Sequence, residues 1–216
     1  MSVRSRWLKK LRDAKAAAAR ARRVLARHPA APRKPAAKLL WHPGARVLRG
    51  NGAGSFVPAG PKLLWHTTEG SSAEGAISAF RHNNSWPHFT LEPTTGRLFQ
   101  HLPLNVAART LQHPPGIVET NRANVIQVEL VGFAKNSPLW ADAEYKRIAA
   151  LARWIEANAG VPRVSTVKFT STPQRQATRL SGTAWLKYSG HIGHEHAPGN
   201  HHWDPGSMRI DKVLEN

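Results

Sequence analysis

Lys62-Leu63-Leu64-Trp65-His66-Thr67-Thr68-Glu69-Gly70 is the stretch on which the fold turns. Leu63, Leu64 and Trp65 read as a short buried strand, and His66 stands at its end, where the chain leaves a sheet and a side chain meets a cleft. Downstream, Val125-Ile-Gln-Val-Glu-Leu-Val131 is apolar apart from Gln127 and Glu129, the pattern of a central strand. Between the two, 72–82 reads as a helix opened by Ser71 or Ser72. The segments 88–91 and 97–101 read as strands joined by the turn Pro93-Thr94-Thr95-Gly96. Further on, Tyr145, Ile148, Ala149, Ala152 and Ile155 keep one apolar face along a helix at 142–157, which Gly160 and Pro162 end. A short helix at 207–214 closes the chain. Strands alternating with helices predict an α/β fold, a mixed central β-sheet flanked by helices.

Upstream, Lys-Leu-Leu-Trp-His also occurs at 38–42, but there it runs into Pro43-Gly44 with nothing around it repeated, and we read the echo as chance. The Gly/Pro-rich segment 43–61 reads as loop wrapped on the domain surface. The 216 residues suffice for one substantial domain plus an appendage, divided here as 1–38 and 39–216.

The formal net charge of +18 is unevenly spread. Residues 1–38 hold thirteen Lys/Arg against the single acid Asp13, a net of +12, whereas the remaining 178 residues carry +6. Trp7, Leu11, Ala14, Ala18 and Leu25 give 5–27 a narrow apolar stripe on a basic helix, and the three prolines from Pro29 to Pro35 mark a stiff linker. Such an arm suits a polyanion: nucleic acid, anionic lipid or acidic envelope polymers. No run approaches the roughly 20 apolar residues of a membrane span. Arg20, Arg22 and Arg23 interrupt the N-terminal alanines, so no signal peptide is expected. Cysteine is absent, which excludes disulfides and thiolate ligands.

Chemistry concentrates near the C-terminus. Ser189-Gly-His-Ile-Gly-His194-Glu-His196-Ala-Pro-Gly-Asn200-His201-His202-Trp-Asp204-Pro-Gly206 gathers five histidines and an aspartate in a Gly/Pro-rich loop. Fixed turns can present imidazole and carboxylate to one point, as a metal site needs, and His66 supplies a third ligand from elsewhere in the chain. His-Glu-x-x-His is absent, so the helical zinc-protease arrangement is excluded. Glu129 is either an outward-facing residue on a half-exposed strand or an acid aimed into a site.

Four pieces in order, Trp65-His66-Thr-Thr-Glu-Gly, Trp86-Pro-His-Phe89, Asn124-Val-Ile-Gln-Val-Glu-Leu-Val-Gly132 and Gly193-His-Glu-His-Ala-Pro-Gly-Asn-His-His-Trp-Asp-Pro-Gly206, resemble the type 2 N-acetylmuramoyl-L-alanine amidases. This is the fold of the peptidoglycan recognition proteins, and the resemblance is to the bacteriophage endolysin branch in particular. It covers roughly 40–214, and it implies one Zn2+ per chain on His66, His194 and Asp204. His196 competes with His194, since residues two apart in an extended segment face the same way; the resemblance favours His194. It further implies Glu129 as general base and His202, where relatives often carry lysine, as donor to the oxyanion. Trp86 and Asn200 are implied at the substrate, and His88 either there or behind the site. Two departures are Pro87, where some relatives carry tyrosine, and one residue fewer between the Gly-His pair and Ala-Pro-Gly.

The implied reaction is hydrolysis of the amide between N-acetylmuramic acid and the L-alanine of the stem peptide. The implied partner is bacterial peptidoglycan, with 1–38 as the segment for anionic polymers or lipid, and a monomer is expected. A phage endolysin held in the host cytoplasm until its release to the cell wall fits best, with a virion-carried lysin as the variant. A non-catalytic peptidoglycan-binding protein of the same fold would have lost a ligand, and nucleic-acid binding accounts for the arm but not for the histidine loop.

Overall fold

The computed structural model describes residues 38, 40–170 and 178–216. The basic helix expected at 5–27 and the proline-rich linker lie outside the described residues.

Six strands form one mixed sheet: β1 (Arg46–Val47), β2 (Lys62–Thr67), β3 (Phe89–Leu91), β4 (Leu98–Gln100), β5 (Val125–Leu130) and β6 (Gly190–Gly193). Their order is β1-β4-β3-β5-β2-β6, parallel throughout except for the β3–β4 hairpin. Among the described residues four α-helices accompany it: α1 (Ala73–Asn83), α2 (Asp142–Ala159), α3 (Gly182–Lys187) and α4 (Ile210–Glu215). Ser72 caps α1 by accepting from Gly75 N, and Asn84, in the left-handed region at φ 51°, ends it. Among the described residues no helix is long and apolar enough to cross a membrane.

Period-two alternation gives each central strand two different faces. Leu63 and Trp65 of β2 and Ile126, Val128 and Leu130 of β5 turn one way, onto Tyr145, Ile148, Ala152 and Ile155 of α2. Each of these large side chains is all but sealed from water, which stabilises the fold by about 1.5–3 kcal/mol per residue. The other face carries Leu64 and His66 beside Gln127 and Glu129, their register partners. Leu64 and Val125 join a second core with Trp185 of α3 and Ile192 of β6, while Ile77 and Phe80 of α1 pack on Trp86, Phe99 and Val131. The polar end of this face is left for chemistry.

Two strands and one α-helix escape the sequence reading. β1 is a two-residue pairing inside the segment 43–61, which otherwise has no helix or strand. β6 forms from what reads as the start of the histidine loop, because β2 offers it a parallel edge. α3 has only six residues, too few for a periodic pattern to show.

Candidate metal centre and cleft

The C-terminal ends of three adjacent parallel strands converge, the usual place for a site in an open α/β sheet. β2 carries His66 near its end and β5 carries Glu129 as the register partner of His66. β6 stops at Gly193, opposite Trp65, so His194 leaves the sheet beside His66. The two rings meet edge to face with their Nδ1 atoms 3.0 Å apart. Asp204 returns from the loop to complete the group. Its Oδ2 lies 3.2 Å from His66 Nδ1 and its Oδ1 3.1 Å from His194 Nδ1.

The loop is held in place by close packing. Gly206 adopts φ +68°, and a Cβ there would stand 2.6 Å from Ala134 O, so only glycine lets the chain pass beneath that carbonyl. Thr67 N donates to Asp204 Oδ2 at 3.3 Å, and Glu195 N donates to Asp204 O at 3.0 Å.

These residues fit a zinc ion. Two imidazole nitrogens and a carboxylate oxygen, all buried and within 4.8 Å of one another, are the donors of a three-ligand site with a fourth position left for water or substrate. The far edge of each ring is already engaged, His66 Nε2 with Thr110 Oγ1 and His194 Nε2 with Asn200 Oδ1, both at 3.0 Å. Burial, then the neighbouring His194, lowers the His66 pKa to about 4, which keeps its ring neutral and able to ligate. Burial alone would raise Asp204, but His194 and His66 beside it hold the carboxyl below the usual range.

Glu129 faces the same point, its Oε1 3.9 Å from His66 Nδ1. Its Oε2 is buried and meets no hydrogen-bond partner among the described residues. Burial first, then the charges of Asp204 and Glu69, push Glu129 well above the ordinary carboxylate range. His202 stands at the rim with 59% of its side chain exposed, stacked on His194 at 4.8 Å and 6°. Burial of the remainder and the adjacent His194 lower its pKa, so it is neutral at physiological pH. Above these groups opens a cleft of about 460 Å³, walled by Thr68, Glu69, Phe80, Asn83, Thr110 and Gln112. A second depression of about 460 Å³ shares Asn83 and Ser85 with it and carries Arg109, His113 and Arg122 against the lone acid Glu119.

Of the residues singled out in the sequence, His66, Glu129, His194, His202 and Asp204 come together at the cleft. His196 does not. Its Nδ1 accepts from Gly193 N at 3.0 Å and its Nε2 donates to Lys168 O at 3.0 Å, so both ring nitrogens serve the backbone. Trp86, His88 and Asn200 are interior residues and line neither depression. His88 accepts from Gln127 N and donates to Val106 O, a strut beneath β5, with burial taking its pKa down to about 3. Asn200 spends its side chain on His194, Gln112 and Pro198. Thr110, Gln127 and Asn121 were not anticipated behind the site. Gln127, a polar residue at an inward position of a buried strand, was the one visible signal for them.

No curated protein matches the chain. Solved structures similar to it include the amidase LysC of Clostridium intestinale, at 11% identity and TM-score 0.47, over 79% of this chain and 95% of that one. The hydrolase AmiA of Staphylococcus aureus is similar at 14% identity and TM-score 0.49, over 82% of each chain. The endolysin of Thermus scotoductus bacteriophage Ph2119 is similar at 17% identity and TM-score 0.47, over 79% and 97%. Residues 61–207, more than half of the chain, match the family described as N-acetylmuramoyl-L-alanine amidase, and the chain belongs to that family.

Proposed function

We propose that this protein is a zinc-dependent peptidoglycan hydrolase that cuts the amide between the lactyl group of N-acetylmuramic acid and the L-alanine of the stem peptide. One observation carries the reading: two buried imidazole Nδ1 atoms and a carboxylate share one point, beside a buried glutamate oxygen that has no partner. His66, His194 and Asp204 would hold the metal. When bound, zinc supplies Lewis acidity toward the scissile carbonyl and toward water.

The chain's own residues do the rest. Glu129, whose carboxyl burial pushes above the ordinary carboxylate range and so makes a stronger base, accepts the proton of the attacking water and delivers it to the departing nitrogen. His202, neutral and exposed at the rim, donates a hydrogen bond to the oxyanion. The saccharide and peptide lie along the cleft, and the depression with Arg109 and Arg122 takes a carboxylate of the stem peptide. The endolysin branch that the histidine loop resembles gives the biological setting: lysis of a bacterial host, from the host cytoplasm or from a virion.

Purified cell walls incubated with the protein should clear and release new N-terminal L-alanine. Chelation should stop both, and added zinc should restore them. Binding to walls without release of L-alanine, with or without zinc, would leave a non-catalytic peptidoglycan binder instead.

A further inference from the structure

Two asparagines grip the backbone of consecutive residues in the same way. Asn121 Oδ1 accepts from Leu111 N at 3.0 Å while its Nδ2 donates to Leu111 O at 2.6 Å. Asn200 Oδ1 accepts from Gln112 N at 2.8 Å while its Nδ2 donates to Gln112 O at 3.1 Å. A backbone N–H only donates and a carbonyl only accepts, so each clamp leaves its amide one orientation. Both side chains are buried, and no bulk water competes for these bonds.

The direction then propagates. Asn121 Oδ1 also faces Gln127 Nε2 at 3.1 Å, which makes that atom of Gln127 the donor and turns its Oε1 toward Thr110. The Thr110 hydroxyl has one hydrogen, and it is given to Gln127 Oε1. What Thr110 offers His66 Nε2 at 3.0 Å is therefore a lone pair, so that nitrogen must carry the proton. The second clamp is shorter. Asn200 Oδ1, fixed as an acceptor by Gln112 N, faces His194 Nε2 at 3.0 Å, and this nitrogen must be protonated too. A ligating imidazole is neutral, and a proton on Nε2 then leaves Nδ1 bare; the two Nδ1 atoms are those that face each other beside Asp204.

We infer that Thr110, Gln127 and Asn121, together with Asn200, are positioning residues that fix the tautomers of His66 and His194 for metal binding, with the backbone of Leu111 and Gln112 as the common reference. This rests on the metal reading above. Partners of this kind, one step behind a ligand, typically change metal affinity by about 10–100-fold when removed.

The test uses the purified full chain, zinc ion with a chromophoric chelator as competitor, and imidazole ¹⁵N spectra of the zinc-loaded protein. Wild type should bind zinc through both Nδ1 atoms, with slowly exchanging Nε2–H protons on both rings. Thr110→Val, nearly isosteric, should weaken zinc binding by roughly 10–100-fold and speed exchange at His66 while leaving His194 unchanged. Thr110→Ser should restore both readouts, and Asn200→Ala, which removes the acceptor, should speed exchange at His194 while leaving His66 unchanged. Coordination through Nε2, or a Thr110→Val chain with wild-type affinity and exchange, would overturn this inference alone. A wild-type chain that takes up no zinc would overturn the metal reading, and this one with it.

Discussion

His66 and Glu129 are register partners on adjacent parallel strands, with Nδ1 and Oε1 3.9 Å apart. A one-residue slip between β2 and β5 would exchange every inward side chain for an outward one and separate the two by a sheet thickness. That slip is blocked by the opposite face, where Leu63, Trp65, Ile126, Val128 and Leu130 are all packed on α2. The hydrophobic core thus holds the spacing between the proposed metal ligand and the proposed base.

The first prediction concerns the ligands. His66→Ala, His194→Ala and Asp204→Ala should each abolish tight zinc binding and hydrolysis, as measured by elemental analysis and L-alanine release. His196→Ala should keep zinc near one per chain. It should lower the melting temperature, because the ring links Gly193 N to Lys168 O. Stoichiometric, tightly held zinc in an active His194→Ala chain would overturn the assignment.

The second concerns Glu129. Glu129→Gln should retain zinc and lose about 10²–10⁴-fold in turnover. Without metal, the same variant should be more stable than wild type at neutral pH. A carboxyl whose folded pKa is raised contributes stability only while protonated, fully below its unfolded pKa and lost as pH rises through the folded value. The melting-temperature gap between chelated variant and chelated wild type should therefore widen from acid to neutral pH. A gap independent of pH would show that Glu129 does not titrate differently in the folded state.

How much of this was legible beforehand follows from packing. β2 and β5 announced themselves because strands buried on both faces are written as apolar runs, and Gln127 and Glu129 stood out against that run. β6 did not, since Gly190 and Gly193 weaken any local strand signal and the pairing is imposed by β2. The choice between His194 and His196 could not be made from an extended segment, in which both would face one way. The chain forms a 3₁₀ turn over His194–His196, and at three residues per turn the two rings diverge. Trp86, His88 and Asn200 show the limit of a motif: it locates a residue but not the direction of its side chain.

The third prediction concerns the anchoring of β6. Glu156 on α2 receives Arg153 at 2.8 Å, Arg163 at 3.0 Å and His191 Nε2 at 3.0 Å, while Trp65 Nε1 donates to His191 Nδ1 at 3.3 Å. Burial alone would raise the Glu156 pKa, yet His191, Arg163 and Arg153 lower it. Glu156→Gln should cost roughly 1–3 kcal/mol at neutral pH. For a depressed carboxylate the contribution is present above the unfolded pKa and lost as pH falls through the folded one, so the cost should fade in acid. Denaturant melts at several pH values decide it, and a constant difference would show that the charge is not the source.

The fourth concerns the second depression. Arg109 is exposed on a wall that continues the cleft, close to Arg122 and facing few acids. Arg109→Ala should raise KM for a soluble muropeptide with free stem carboxylates and leave kcat near wild type. Esterifying those carboxylates should erase the difference between the two proteins. An unchanged KM, or an effect confined to kcat, would remove this arm of the groove from substrate binding.

The last concerns residues 1–38, proposed as a separate arm on the strength of sequence alone. Their net charge of +12 is two-thirds of the whole chain's excess, and Trp7, Leu8 and Leu11 add a small apolar foothold. We propose that this arm holds the enzyme to anionic envelope polymers or lipid headgroups, so that the catalytic domain stays near an insoluble substrate. Attraction between exposed charges is screened over about 8 Å at physiological ionic strength. Deleting 1–38 should leave cleavage of a soluble muropeptide unchanged and weaken sedimentation with whole cell walls at low salt, the difference shrinking as salt is raised. Vesicles with and without anionic lipid, and walls with and without their acidic polymers, separate the two sources of negative charge. If the truncated chain binds and lyses walls as well as the full chain at low salt, the arm is not an anchor. If it loses activity on the soluble substrate as well, the segment supports the catalytic domain rather than its targeting.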